Sequence, residues 1–145
     1  MTASTRPTTS TAPSRATLRS VGALVAGFLS TAILSLFVDQ ILHWMGVFPP
    51  WGQVTYATGP FALAVTYRTI FGVVGAWITA RLAPRAPLKH AMVLGTFGFV
   101  VTLASVLVAS VRNLGPAWYP VVLTVLALPT AWLGGWLYVR SATQR

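Results

Sequence analysis

Cysteine and glutamate are both absent from the 145 residues, and Asp39 is the single acid. The first absence excludes disulfides, thiol catalysis and thiolate metal sites, and it leaves the redox compartment open. Charge of either sign is scarce: 8% of residues are charged and 55% are apolar, against roughly a quarter charged in an ordinary globular protein. Ten Lys and Arg with one Asp cannot cover the surface of a soluble domain of this length. Lipid is the solvent that tolerates such a surface.

The net charge of +9 invites a nucleic-acid reading. The positions of the basic residues exclude it, because they form no single patch and sit instead at the ends of apolar runs. Basic ends on apolar segments are what the positive-inside rule produces.

Residues 1–20 hold ten Ser or Thr, two Pro, three Arg and no acid, a composition that cannot bury a core and predicts a disordered cytoplasmic tail. As a secretory signal the region fails, since the apolar run after Arg19 is too long and ends in no small-x-small cleavage site. A transit peptide shares the Arg- and Ser-rich, acid-poor composition and stays open as an alternative. Four apolar stretches follow, at about 21–47, 61–82, 88–111 and 117–139. Each has the roughly 20 residues that cross a hydrocarbon core of about 30 Å. Pro and Gly punctuate the gaps, and Pro60, Pro87 and Pro116 each stand just ahead of a stretch, where a missing N–H costs a helix nothing. Pro129 falls inside the fourth, where a kink is expected, with Thr130 available to the freed carbonyl.

The expected fold is therefore all-α, an integral membrane bundle of four transmembrane helices followed by a short C-terminus at 141–145. The second stretch is the weakest. Arg68 costs about 2.5 to 3.5 kcal/mol at a helix centre, and nine strong apolar residues return roughly 3 to 5 kcal/mol. Orientation follows from counting Lys and Arg in the connections. Three lie in the tail, three between the second and third spans (Arg81, Arg85, Lys89) and two at the C-terminus, against Arg112 alone on the other side. That bias predicts both termini in the cytoplasm.

Ionisable groups within the spans are few: Asp39, His43 and Arg68, with Gln40 beside them. Such residues are costly in lipid and turn toward a bundle interior or a partner. Steps of four from Asp39 give Ser35, Thr31 and Gly27; steps of four from Arg68 give Gly72, Ala76 and Ala80. Each charge thus lies on a ridge of small residues, the pattern that lets two helix backbones approach. If Asp39 pairs with Arg68 across an antiparallel hairpin, Ser35 is expected to meet Gly72, Thr31 to meet Ala76, and Gly27 to meet Ala80. Three roles remain open for the charges: an ion pair that fixes register, a proton or ion relay with His43, and binding of an anionic headgroup or small anion by Arg68.

Metal binding has little support, since Asp39 and His43 supply two ligands and His90 lies at the other end of the bundle. No Ser has a His base and an acid orienter in a recognisable arrangement. The expectation is a protein that is not an enzyme, with neither metal nor cofactor.

The run Asp39-x-x-x-His43-x-x-Gly46-Val47-Phe48-Pro49-Pro50-Trp51 resembles a group of small four-span bacterial inner-membrane proteins with no assigned activity. Tyr67-Arg68-Thr69, Thr79-Ala80-Arg81-Leu82-Ala83-Pro84 and Ala131-Trp132-Leu133-Gly134-Gly135 add to the likeness. It covers about residues 20–140 and implies a bacterial inner membrane, but no activity. The functional expectation is a structural or partner-binding membrane protein, its partners being the lipid bilayer and a second copy or another membrane protein. The alternative is a small oligomeric transporter or proton- or ion-translocating protein using Asp39, His43 and Arg68.

Overall fold

The computed structural model describes residues 14–144 as four α-helices: α1 (Arg15–Trp44), α2 (Thr58–Leu82), α3 (Pro87–Arg112) and α4 (Trp118–Thr143). All four are long and apolar enough to cross a membrane. Their ends follow local chemistry. Ser14 caps α1, its hydroxyl accepting from the Thr17 N–H and its carbonyl from the Leu18 N–H, so the first turn keeps its orphan donors satisfied. The helix consequently starts six residues before the expected boundary at Val21, and residues 15–20 are helix rather than tail. The rest of the expected tail, residues 1–13, lies outside the described residues.

At its other end α1 stops at Trp44, short of the expected Val47. Gly46 turns through a left-handed φ of 71°, and the amides of Val47 and Phe48 both fold back onto the Leu42 carbonyl. A left-handed glycine closing the last carbonyls is a common helix stop. Pro60 sits in the first turn of α2 and Pro87 opens α3, where neither removes an internal bond. Helix α4 runs on through Pro129. The Thr130 hydroxyl turns back to the Leu126 and Ala127 carbonyls at 2.9 and 3.0 Å, one and two residues beyond Val125, so it does not take up the carbonyl that Pro129 frees.

Helix α2 is the hub. It packs against α1 on one side and α4 on the other, while α3 packs chiefly on α4 and more lightly on α2 and α1. Among the described residues α1 makes no close approach to α4. The start of α1, the end of α4 and the α2–α3 turn lie at one end of the bundle, called here the terminal end. The α1–α2 and α3–α4 connections lie at the other, the loop end. At the terminal end α1 meets α3 through Ser20 Oγ and His90 Nε2, 3.0 Å apart, and then through an edge-to-face Phe28–Phe97 pair.

The centre of the bundle is built from small side chains. Ala76, Ala80, Ala91 and Ala131 form its buried cluster, and the largest wholly buried side chain is Thr79. Glycine takes this further at the α2–α4 crossing, where a Cβ on Gly134 would fall 2.7 Å from the Ala76 Cβ and 2.9 Å from the Trp77 nitrogen. The large apolar side chains point outward instead: Leu36, Phe37, Leu107 and Val125 are each more than 60% exposed. Water would penalise that arrangement heavily, whereas lipid does not. Between helices surrounded by lipid, the attraction comes from close packing and hydrogen bonds.

Candidate functional site

Asp39 is buried one helical turn below the loop end of α1, on the face turned to α2. Both of its carboxylate oxygens are used. The Tyr67 hydroxyl donates to Oδ1, and Arg68 Nη2 donates to Oδ2 at 2.5 Å in a charge-assisted bond. Tyr67 is itself buried and its ring lies beside the guanidinium, 5.9 Å from centroid to Cζ. Two consecutive residues of α2 therefore clasp one carboxylate of α1, each on its own oxygen.

The rest of the seam differs from the expected register by one residue of α2. Gly27 packs against Gly75 and Thr79, and Gly75 packs against Thr31 and Gly27. The Thr31 hydroxyl reaches the Phe71 carbonyl at 3.2 Å, and the Thr79 hydroxyl reaches the Ala23 carbonyl at 3.3 Å. The α2 row facing α1 is thus Tyr67, Phe71, Gly75 and Thr79. Gly72 and Ala76 face α4 instead, where Gly72 meets Thr130 and Ala76 meets Gly134, while Ala80 joins the alanine cluster. The expected meetings of Ser35 with Gly72, Thr31 with Ala76 and Gly27 with Ala80 are replaced. The physical reason is reach: Arg68 has a long side chain and extends to Asp39 from the neighbouring ridge, so its Cα need not lie on the contact line.

His43 lies one turn beyond Asp39, half-buried, and serves the loop. Its Nδ1 is 2.8 Å from the Pro49 carbonyl, which fixes the proton on Nδ1 in the neutral ring. The ring stacks on Trp51 with centroids 4.0 Å apart and meets Phe48 edge-on. Gln40 is half-buried, lines neither of the cavities described below, and makes no side-chain hydrogen bond among the described residues.

Two cavities meet at Arg68. A vestibule of about 380 Å³ at the loop end is lined by Asp39, His43, Trp51, Gln53, Arg68 and Tyr119. On the far side of the ion pair, a cavity of about 410 Å³ lies between all four helices, with a largely apolar wall that includes Ser35, Arg68, Gly72, Gly98 and Thr130. From Arg68 toward the terminal end, no ionisable side chain occurs in any span until Tyr138, Arg81, His90 and Arg19 at the far end. Of the hydroxyls met on the way, those of Thr31, Thr79 and Thr130 bond backbone carbonyls, and that of Ser35, in the cavity wall, makes no hydrogen bond among the described residues.

Tyr67 was not distinguished from the other span aromatics by sequence, although it completes the clasp. The available signal was the repeated Gly-x-x-x-Thr, Gly27 to Thr31 in α1 and Gly75 to Thr79 in α2. Aligned antiparallel, these motifs place Asp39 opposite Tyr67. Ser20 and His90 form a further Ser–His contact, with His90 Nδ1 near the Ala86 carbonyl; no acid stands behind the ring, and the contact joins α1 to α3. No protein family, curated protein or solved structure matches this chain.

Proposed function

We propose that the chain is a small multi-pass protein of a bacterial inner membrane that works by binding and packing, without catalysis and without moving ions. The observation that carries this reading is the clasp of two α2 residues on the single acid of the spans. Asp39 spends both oxygens on Tyr67 and Arg68, and the spans offer no ionisable group to receive a proton on the far side. Proton pathways use chains of such groups. The outward rows of Leu, Val and Phe are suited to lipid, to a second copy or to another membrane protein. The skew of Lys and Arg toward the terminal end supports an orientation with that end in the cytoplasm.

Purified protein in liposomes under an imposed pH gradient tests the reading. The expected result is a leak no greater than that of empty vesicles, the same for the wild type and for Asp39→Asn. A proton or cation flux that disappears in Asp39→Asn would favour translocation from the vestibule instead.

A further inference from the structure

We infer that the cavity between the four helices is a binding site for an uncharged, carbonyl-bearing lipid: its acyl chain fills the cavity, and its ester or ketone oxygen accepts a hydrogen bond from Arg68. The inference needs the bundle to lie in a membrane but needs no protein partner.

The cavity is large enough. Its volume of about 410 Å³ falls in the usual range for small-molecule sites, roughly 300 to 1,000 Å³. Its wall is largely apolar, and the hydroxyls of Thr31, Thr69, Thr102 and Thr130 along it are turned to backbone carbonyls, which leaves the Ser35 hydroxyl and the Arg68 guanidinium as its free polar groups. Over most of that wall water would find no partner, and only the end at Arg68 and Ser35 is polar. An alkyl chain suits the space. It gains nothing by leaving water, since bilayer interior and cavity are equally apolar; it gains the dispersion contacts that an empty wall forfeits.

A way in exists from the side. Helices α1 and α3 are joined at the terminal end by Ser20–His90 and Phe28–Phe97, and α1 does not approach α4 among the described residues. Beyond Phe28 and Phe97, the cavity is bordered by Leu36 and Val101, both largely exposed. A chain lying in the bilayer can enter there without passing through water.

Arg68 decides the head of the ligand. Its charge is already balanced by Asp39, so an added anion would leave an uncompensated negative charge in a low-dielectric site. What Arg68 lacks is an acceptor. Only Nη2 is bonded to Asp39, and the side chain is 35% exposed and lines the cavity. Of a guanidinium's five N–H donors the free Nη ones can be reached, whereas Nε, also unbonded, is sealed off. A neutral carbonyl oxygen supplies the acceptor without disturbing the charge balance. Ester and prenylated-quinone lipids share this chemistry.

The test uses the intact protein in detergent, with lipid occupancy read by native mass spectrometry. The probes are methyl palmitate and a prenylated benzoquinone, against hexadecane and palmitate. One bound molecule is expected with the ester, the quinone or both, which separates the two sources. Hexadecane and palmitate should each bind at least about tenfold more weakly, the value of a hydrogen bond to a charged group. Gly98 offers a clean block: it lines the cavity, and a Cβ there meets nothing within 4 Å. Gly98→Leu should therefore fold, with an unchanged melting temperature, and lose the bound ester or quinone. Gly22→Leu has the same open surroundings and does not line the cavity, so it should bind as the wild type does. Equal binding of hexadecane would overturn the role given to Arg68, and tighter binding of palmitate would make the site an anion site. Ester or quinone binding that survives Gly98→Leu would place the lipid elsewhere and overturn the inference.

Discussion

The register of the α1–α2 seam can be read by adding one methyl group at two glycines three residues apart. In Gly75→Ala the new Cβ would lie 2.6 Å from the Gly27 carbonyl oxygen and would overlap the Thr31 side chain. A carbon and a carbonyl oxygen settle at about 3.3 to 3.6 Å, and backbone cannot rotate aside, so the two helices must separate by nearly 1 Å. A gap of that size forfeits a quarter to a half of each dispersion contact along the seam. It also stretches the Thr31–Phe71 and Thr79–Ala23 bonds, now 3.2 and 3.3 Å, past the limit of a useful hydrogen bond. Overpacking costs about 1 to 3 kcal/mol and two interhelical bonds in a membrane add about 0.6 kcal/mol each, giving a loss of about 2 to 4 kcal/mol. In Gly72→Ala the Cβ would stand 3.4 Å from Thr130 Oγ1, close to ordinary contact, and the expected change is within about 0.5 kcal/mol. SDS titration of the protein in mixed micelles, followed by tryptophan fluorescence, reads both variants against wild type. Equal losses, or a larger loss for Gly72→Ala, would refute the seam through Gly27 and Gly75.

Tyr67→Phe removes the hydroxyl that occupies Asp39 Oδ1 and should cost about 1 to 3 kcal/mol in the same titration, the penalty of a buried acceptor left unpaired; no loss would mean that Oδ1 has another partner. His43→Phe keeps the stacking on Trp51 but loses the Pro49 bond. Its cost should stay near 0.5 to 1.5 kcal/mol, appearing as faster hydrogen exchange at Val47 and Phe48, and unchanged exchange there would show that the ring does not hold the loop. Reporter domains active only outside the cytoplasm should work when inserted within Gln53 to Thr58 and fail within Pro84 to Pro87 or after Arg145. An active C-terminal fusion would invert the proposed orientation of that end.

Much of this architecture is legible in the chain. Four apolar stretches bounded by Pro and Gly announce four helices, and α2, α3 and α4 begin and end within a few residues of where those boundaries point. The start of α1 lay hidden in a Ser/Thr-rich stretch, where Ser14 as a cap is hard to tell from its neighbours. Asp39 and Arg68 find each other because a single acid leaves few choices. Their exact seam is harder, because a flexible side chain about as long as a helical turn can bridge from either of two adjacent ridges. Gly75 and Thr79 decide between those ridges, and they do so through backbone contact with Gly27, which hydropathy does not register. The two cavities were out of reach altogether, since one is walled by all four helices and the other chiefly by α1, α2 and the loop-end connections, and neither follows from any motif.

Asp39 and Arg68 join α1 to α2 as one ion pair. A double-mutant cycle measures this directly, with Asp39→Asn, Arg68→Gln and the combined variant titrated with SDS beside the wild type. A buried pair that loses one member typically loses about 3 to 5 kcal/mol, and the 35% exposure of the Arg68 side chain reduces that here. Each single variant is thus expected to lose about 2 to 3 kcal/mol, and the combined variant little more than either, a coupling of about 1 to 3 kcal/mol. Additive losses, with coupling below about 0.5 kcal/mol, would mean that the two charges serve separate purposes and that the hairpin is held without them.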